Sequence, residues 1–263
     1  MLALRLSGYG PPPMSGHSKW ATIKHKKGAL DAKRGKLFTK LIKEITVAAR
    51  MGGGDPAGNA RLRKAISDAK GQAMPGDTIK RATLRGTGEL EGSSYDEITY
   101  EGTGPGGTLF LVESMTDNKN RTVAEIRKIF EKNNGLLGAG GTAAWAFERK
   151  GILSIGKEAT EDQLMEVAVA AGAEDYADGG EEWQLTTPPD GLNIVLDALE
   201  KSGIKAKSSS LAYVPKIKKP LTGRDAQVAL NLAEALDDHD DVQNVYADFD
   251  ISDEELAALA GAG

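Results

Sequence analysis

The chain has 263 residues, of which 40% are hydrophobic and 27% charged, with a formal net charge of −5 and no cysteine. This length accommodates one to three domains with ordinary cores. The lack of cysteine excludes disulfides, thiolate catalysis and Cys-ligated zinc, and fits a reducing, cytoplasmic setting. No apolar run approaches the roughly 18–20 residues of a membrane-spanning helix, so no membrane partner is expected. The net charge hides a partition: residues 14–90 hold 17 Lys and Arg against 6 Asp and Glu, whereas residues 91–263 hold 15 against 32. A concentrated basic surface attracts polyanions, and an acidic remainder discourages indiscriminate association.

Residues 1–13, MLALRLSGYGPPP, read as a disordered extension, or as sequence upstream of a functional start at Met14. Their apolar part is too short for a secretory signal, and three consecutive prolines favour an extended chain. Lys19, Lys24, Lys26, Lys27, Lys33, Arg34 and Lys36 follow against Asp31 alone, with Trp20 and His25 interleaved. This is the composition of a segment that orders on a partner. Residues 35–51 read as an amphipathic helix. Leu37, Phe38, Leu41, Ile42, Ile45, Ala48 and Ala49 share one face, and Lys36, Lys40, Lys43 and Arg50 cluster on the other. Gly52–Pro56 breaks the pattern. Residues 59–73 predict a second helix capped by Asn59, and Asp77 can cap a short third one. Residues 86–92 read as a linker.

After Tyr95 the period changes. Residues 97–103 and 108–116 read as strands, 121–134 as a helix and 143–156 as a strand. A helix (160–171), a strand (182–187), a helix (190–202) and a strand (207–214) follow. The chain then gives a helix (222–237) and a strand (242–250). The first α+β group lacks a helix and a strand that the last pair can supply. The reading is therefore a multidomain α+β protein: a basic helical domain (14–92), an α+β sandwich domain (93–148 with 220–252), a second α+β sandwich (149–219) inserted in it, and a C-terminal tail (253–263).

Several motifs have plainer readings than their patterns suggest. Gly102, Gly104 and Gly107 satisfy G-x-G-x-x-G, but a strand rather than a helix follows, so a glycine-rich hairpin is expected instead of a dinucleotide site. Gly135–Gly141 lacks a cation or hydroxyl at phosphate-loop spacing and reads as a loop of close backbone approach. Asp237, Asp238, Asp240 and Asp241 lack the ligand spacing of a calcium loop and read as a solvated turn. Asp117 or Asn120 can cap the helix after DNKNRT. No local arrangement of nucleophile, base and acid points to catalysis. No catalytic residue, metal, cofactor or small-molecule substrate is expected. The basic module suits nucleic acid: its cations neutralise phosphates, and Trp20 can stack on a base.

The stretches GHSKWATIKHKKGALDAKRGKLFTKLIKEITVAAR, GGGDPAGNARLRKAISDAKGQAMPGDTIKRA, TDNKNRT and DDHDDVQNVYADFD closely resemble the YebC/PmpR family. The resemblance runs from about Met14 to Asp250. It implies three domains, a helical one and two α+β domains with one inserted in the other, and no catalysis. The family comprises probable transcriptional regulators, with mitochondrial relatives that activate translation. It therefore implies a DNA-binding transcriptional regulator or, alternatively, a ribosome-associated factor on rRNA or tRNA. Lys19, Trp20, Lys24, His25, Lys26 and Lys27 fall on the motif positions that imply nucleic-acid contact, and Lys33, Arg34 and Lys36 extend them. Lys40, Lys43 and Arg50 are added from the helix stripe. The sequence departs from the family pattern at Thr83 and Leu84, where an isoleucine and a lysine are usual.

Overall fold

The structure is a computed structural model and describes residues 32–180 and 182–261, with side chains from residue 35 to residue 259 apart from residue 181. The extension 1–13 and the segment holding Lys19, Trp20, Lys24, His25, Lys26 and Lys27 lie outside the described residues, as do the side chains of Lys33 and Arg34. By contact the described chain divides into two compact units, Phe147–Lys216 and residues 32–146 with 217–261.

The larger unit opens with three helices, α1 (Ala32–Gly52), α2 (Ala60–Gly71) and α3 (Gly76–Thr87). Ile45, Ala48 and Ala49 of α1 meet Leu62, Ala65 and Ala69 of α2 and Ile79 and Ala82 of α3 in one apolar cluster. The α1–α3 crossing is close because Gly86 has no side chain: a Cβ there would lie 2.4 Å from the Thr46 carbonyl oxygen. Asn59 caps α2 by accepting the Leu62 N–H at 3.0 Å, and its amide donates to the carbonyls of Ala48 within α1 and of Gly53 just after it. The expected Asp77 cap is not formed. Pro75 precedes α3 without a side-chain cap, and the helix runs 12 residues. Its closing residue, Gly88, takes a left-handed conformation (φ +82°) that glycine adopts without strain.

Strands β1 (Asp96–Thr103) and β2 (Leu109–Thr116) form the glycine hairpin, turning through a 3-10 segment at Pro105–Gly107. Helix α4 (Lys119–Lys132) and the short β3 (Leu136–Leu137) follow. The capping residue of α4 is Asn118 rather than Asp117 or Asn120, and it accepts the Arg121 N–H at 3.1 Å. Helix α7 (Gly223–Asp237) and strand β9 (Val242–Ala247) return from the far end of the chain, after β8 (Lys219–Pro220). The antiparallel sheet has the order β3-β1-β2-β9, with Val112 opposite Val245. Its apolar side is covered by α4 and α7, burying Phe110, Ile126, Phe130, Leu232, Leu236 and Phe249. The expected single strand at 242–250 is interrupted at Asp248, whose buried carboxylate accepts the Leu109 N–H at 2.8 Å. Beyond it, β10 (Phe249–Asp250) pairs in parallel with β8. Residues read as a C-terminal tail instead form a helix, α8 (Asp253–Gly261), because Leu256 and Leu259 pack against this core.

In the smaller unit, β4 (Phe147–Gly156), β5 (Asp175–Asp178), β6 (Glu182–Thr187) and β7 (Ala206–Pro215) form an antiparallel sheet of order β5-β6-β4-β7. Helix α5 starts at Thr160 with a capping box, runs Glu161–Leu164 and widens into a π turn at Met165–Val169. With α6 (Leu192–Lys201) it buries Leu164, Ala168, Val195 and Leu199 against Leu153, Ile155 and Leu185 of the sheet.

Candidate nucleic-acid interface

The lysine face of α1 meets the acidic turn between α7 and β9. Helix α1 presents one lysine per turn, and α7 ends in Asp237 with three more aspartates behind it. Acidic residues at a helix C-terminus face the negative end of its dipole, and cations placed there offset it. Lys36 Nζ donates to the Asp238 carbonyl at 2.8 Å, and Lys40 Nζ to the Asp237 carbonyl at 2.8 Å. Lys43 Nζ donates to the Asp240 carbonyl at 2.9 Å and to Asp241 Oδ1 at 2.5 Å.

The Lys43–Asp241 pair is the buried centre of this contact, with the two residues 6% and 3% exposed. The other Asp241 oxygen accepts Arg121 at 2.8 Å and the Thr122 hydroxyl at 2.6 Å, both from α4. Burial acts to raise the Asp241 pKa. The hydrogen bonds from Lys43, Thr122 and Arg121 outweigh it and hold the carboxyl well below its usual range. The Arg121 guanidinium is pushed up in turn, chiefly by its bond to Asp241. Nδ1 of His239 accepts the Asp241 N–H at 3.1 Å, which leaves the proton on Nε2 facing Glu125 Oε2 at 2.9 Å. The acidic run read as a solvated turn is thus largely committed, because buried lysine and carboxylate groups require one another as partners.

Other cations expected on the basic surface are also tied down. Arg50 donates to the Ser94 hydroxyl and, at 2.5 Å, to the Tyr95 carbonyl. Arg61 bridges Glu44 of α1 (2.7 Å) and Glu97 of β1 (2.7 Å). Lys40, Lys43 and Arg50 therefore fasten α1 rather than form a free cationic stripe. The amphipathic pattern identified a polar face of α1, but polarity does not reveal whether water or a carboxylate covers it. The run DDHDD marked the covering partner some 200 residues away (198 between Lys43 and Asp241).

Between α1, α4 and this turn lies a cleft of about 740 Å³. Lys36, Thr39 and Lys43 line it on one side and Arg121, Glu125, Lys128 and Lys132 on another, with Tyr95 and Asp238–Asp241 completing it. The sequence reading did not single out Lys128 or Lys132. The signal available was the excess of cations in 119–132 within an otherwise acidic stretch.

These features define a multidomain α+β protein in which a basic helical region is latched to an acidic turn of a sheet completed from the far end of the chain. Residues 18–89 match the family description "TACO1/YebC protein N-terminal domain", and residues 95–249 match "TACO1/YebC second and third domain". The chain belongs to the TACO1/YebC family. A "Probable transcriptional regulatory protein" from Geobacter sp. (strain M21) is 54% identical over 246 residues, spanning 94% of this chain and 100% of the relative. A protein of the same designation from Geobacter sulfurreducens is likewise 54% identical, with the same coverage of both chains. The crystal structure of a conserved hypothetical protein from Aquifex aeolicus superposes with a TM-score of 0.83 at 45% identity, covering 91% of this chain and 99% of that one.

Proposed function

We propose that this chain is a non-enzymatic, nucleic-acid-binding regulator of gene expression acting in the cytoplasm. The observation that carries the reading is the segregation of charge. Seven cations lie between Lys19 and Lys36 against Asp31 alone, in a chain whose residues 91–263 hold 15 cations against 32 acids. Lys19, Lys24, Lys26, Lys27, Lys33, Arg34 and Lys36 contact phosphates, His25 adds a polar contact, and Trp20 stacks on a base. Lys40, Lys43 and Arg50 hold α1 in place and leave the contact set. The designation shared by the relatives supports control of transcription, with DNA as the target.

One feature favours a second reading, a ribosome-associated factor on rRNA or tRNA. Helix α1, 21 residues long, turns its lysines into the α7–β9 turn and so offers no free cationic face to a major groove. Contact through backbone and shape suits structured RNA.

The test is charge reversal at Lys24, Lys26 and Lys27 in the full chain. Polyanion binding should be lost at about 150 mM salt, a physiological ionic strength. Wild-type log K should fall with log salt at a slope of roughly −4 to −5 on duplex DNA if about five phosphates are neutralised. Unchanged affinity in the variant sinks the assignment. In-cell crosslinking with sequencing then separates the two targets: promoter DNA supports transcription, and rRNA or tRNA supports translation.

A further inference from the structure

We infer that the outer face of α4 is a second polynucleotide-contact surface, which engages the phosphodiester backbone across the cleft from Lys36. This rests on the nucleic-acid reading above and extends it to a helix that reading leaves without a role.

The sequence sets α4 apart. Residues 119–132 hold Lys119, Arg121, Arg127, Lys128 and Lys132 against Glu125 and Glu131, whereas the rest of residues 91–263 hold 10 cations against 30 acids. The helix buries Thr122, Ile126 and Phe130, which turns its charged residues outward. Some of those charges are satisfied within the chain. Arg121 pairs with Asp117 and Asp241, Lys119 with Asp96, and Glu125 with His239.

Lys128 and Lys132 differ. Both line the cleft, and neither has an ion-pair or hydrogen-bond partner among the described residues. They stand four positions apart, one above the other on the helix surface, about 6 Å along the axis. Like charges in that relation repel by a few tenths of a kcal/mol, which the place of Lys132 in the last turn of α4 offsets in part. An anion bridging the two would remove the repulsion. The acids that face them are mostly engaged: Asp241 by Lys43, Arg121 and Thr122, Asp238 by Lys36, Asp117 by Arg121 and Glu125 by His239. Asp240 is the one lining acid whose carboxylate faces solvent without a described partner. Lys36 stands across the cleft, near the start of α1. Two ammonium groups without an accompanying base-reading side chain grip phosphate and do not select sequence.

The experiment compares the full-length wild type with Lys128→Glu/Lys132→Glu, using a labelled mixed-sequence RNA and a DNA duplex of matched length over a salt series. Losing two phosphate contacts should make the log K–log salt slope shallower by roughly 1.4–1.8 and weaken binding on the order of tenfold near 0.1 M salt. Lys201→Glu/Lys205→Glu makes the same change in net charge in the Phe147–Lys216 unit and should leave the slope at its wild-type value. Lys128→Gln/Lys132→Gln gives the same readout if the charge reversal does not fold. A wild-type slope and affinity in the α4 variants overturns the inference, as does an equal loss in the Lys201/Lys205 control. Wild-type protein that binds neither probe would instead remove the nucleic-acid reading itself, and α4 with it.

Discussion

Replacing Asp241 by alanine should destabilise the larger unit more than any surface charge change. The carboxylate accepts three donors, Lys43 at 2.5 Å, Arg121 at 2.8 Å and Thr122 at 2.6 Å. Arg121 is half-exposed and can turn to water, and the Thr122 hydroxyl keeps the Asn118 carbonyl and Thr116 as partners. Lys43 would keep the Asp240 carbonyl but lose its paired carboxylate, and its side chain, 7% exposed, cannot turn to water. Removing one partner of a buried pair costs about 3–5 kcal/mol. At about 2–4 °C per kcal/mol for a unit of this size, the midpoint should fall by about 10 °C. Lys43→Met should cost less, since Asp241 keeps Arg121 and Thr122, and the double variant should recover part of the loss. Thermal and urea unfolding followed by circular dichroism measure all three. The acid limb supplies an independent check. The folded-state pKa of Asp241 lies below its ordinary value, so its contribution is complete above the unfolded value near 3.8 and is lost as pH falls below it. Wild type should therefore lose stability below about pH 4 more steeply than Asp241→Ala. Single variants within about 1 kcal/mol of wild type, with parallel acid limbs, would refute the account of this pair.

Two further outcomes follow from close contacts elsewhere. Gly86→Ala places a methyl 2.4 Å from the Thr46 carbonyl and 2.6 Å from Ala49 Cβ, so α1 and α3 must part. A loss of about 1–3 kcal/mol in urea unfolding is expected, and an unchanged midpoint would show that the crossing is loose. Glu101 accepts the N–H groups of Gly141 (2.9 Å), Ala143 (2.6 Å) and Ala144 (2.8 Å). Partial burial opposes its ionisation, but these donors hold its pKa below the usual carboxylate range. Glu101→Gln turns a donor toward donors and should speed amide exchange at those three positions on the order of tenfold, from a loss of about 1–2 kcal/mol, with a change in the fluorescence of the 66% exposed Trp145; unaltered exchange would exclude the clamp.

Much of the fold was legible because it rests on local pattern. The period change after Tyr95, the hairpin in place of a dinucleotide loop and the Asn59 cap each follow from side-chain spacing and turn chemistry. The misses share a cause. The cap of α4 was misplaced by one or two residues because Asp117, Asn118 and Asn120 are all competent, and only the backbone course chooses among them. Helix α8 was read as a tail because the apolar surface that Leu256 and Leu259 cover is assembled from distant segments. The stripe Lys36, Lys40, Lys43 was visible as charge, but its pairing with Asp237–Asp241, which buries Lys43, depends on a contact between distant parts of the chain. Periodicity reports which face of a helix is polar and carries no information on what lies opposite.

The split of the larger sheet imposes an order on synthesis. Strand β9 and Asp241 emerge 198 residues after Lys43, which at about 5–20 residues per second is a delay of roughly 10–40 s. During that interval α1 can form, but its lysines face water and β2 has an open edge where β9 will pair. The Phe147–Lys216 unit, contiguous in sequence, can complete its own sheet meanwhile. Every growing chain thus passes through a stage with an uncovered lysine helix and an unfilled strand position. The closing of α1 onto the α7–β9 turn therefore waits until Asp241 has been made.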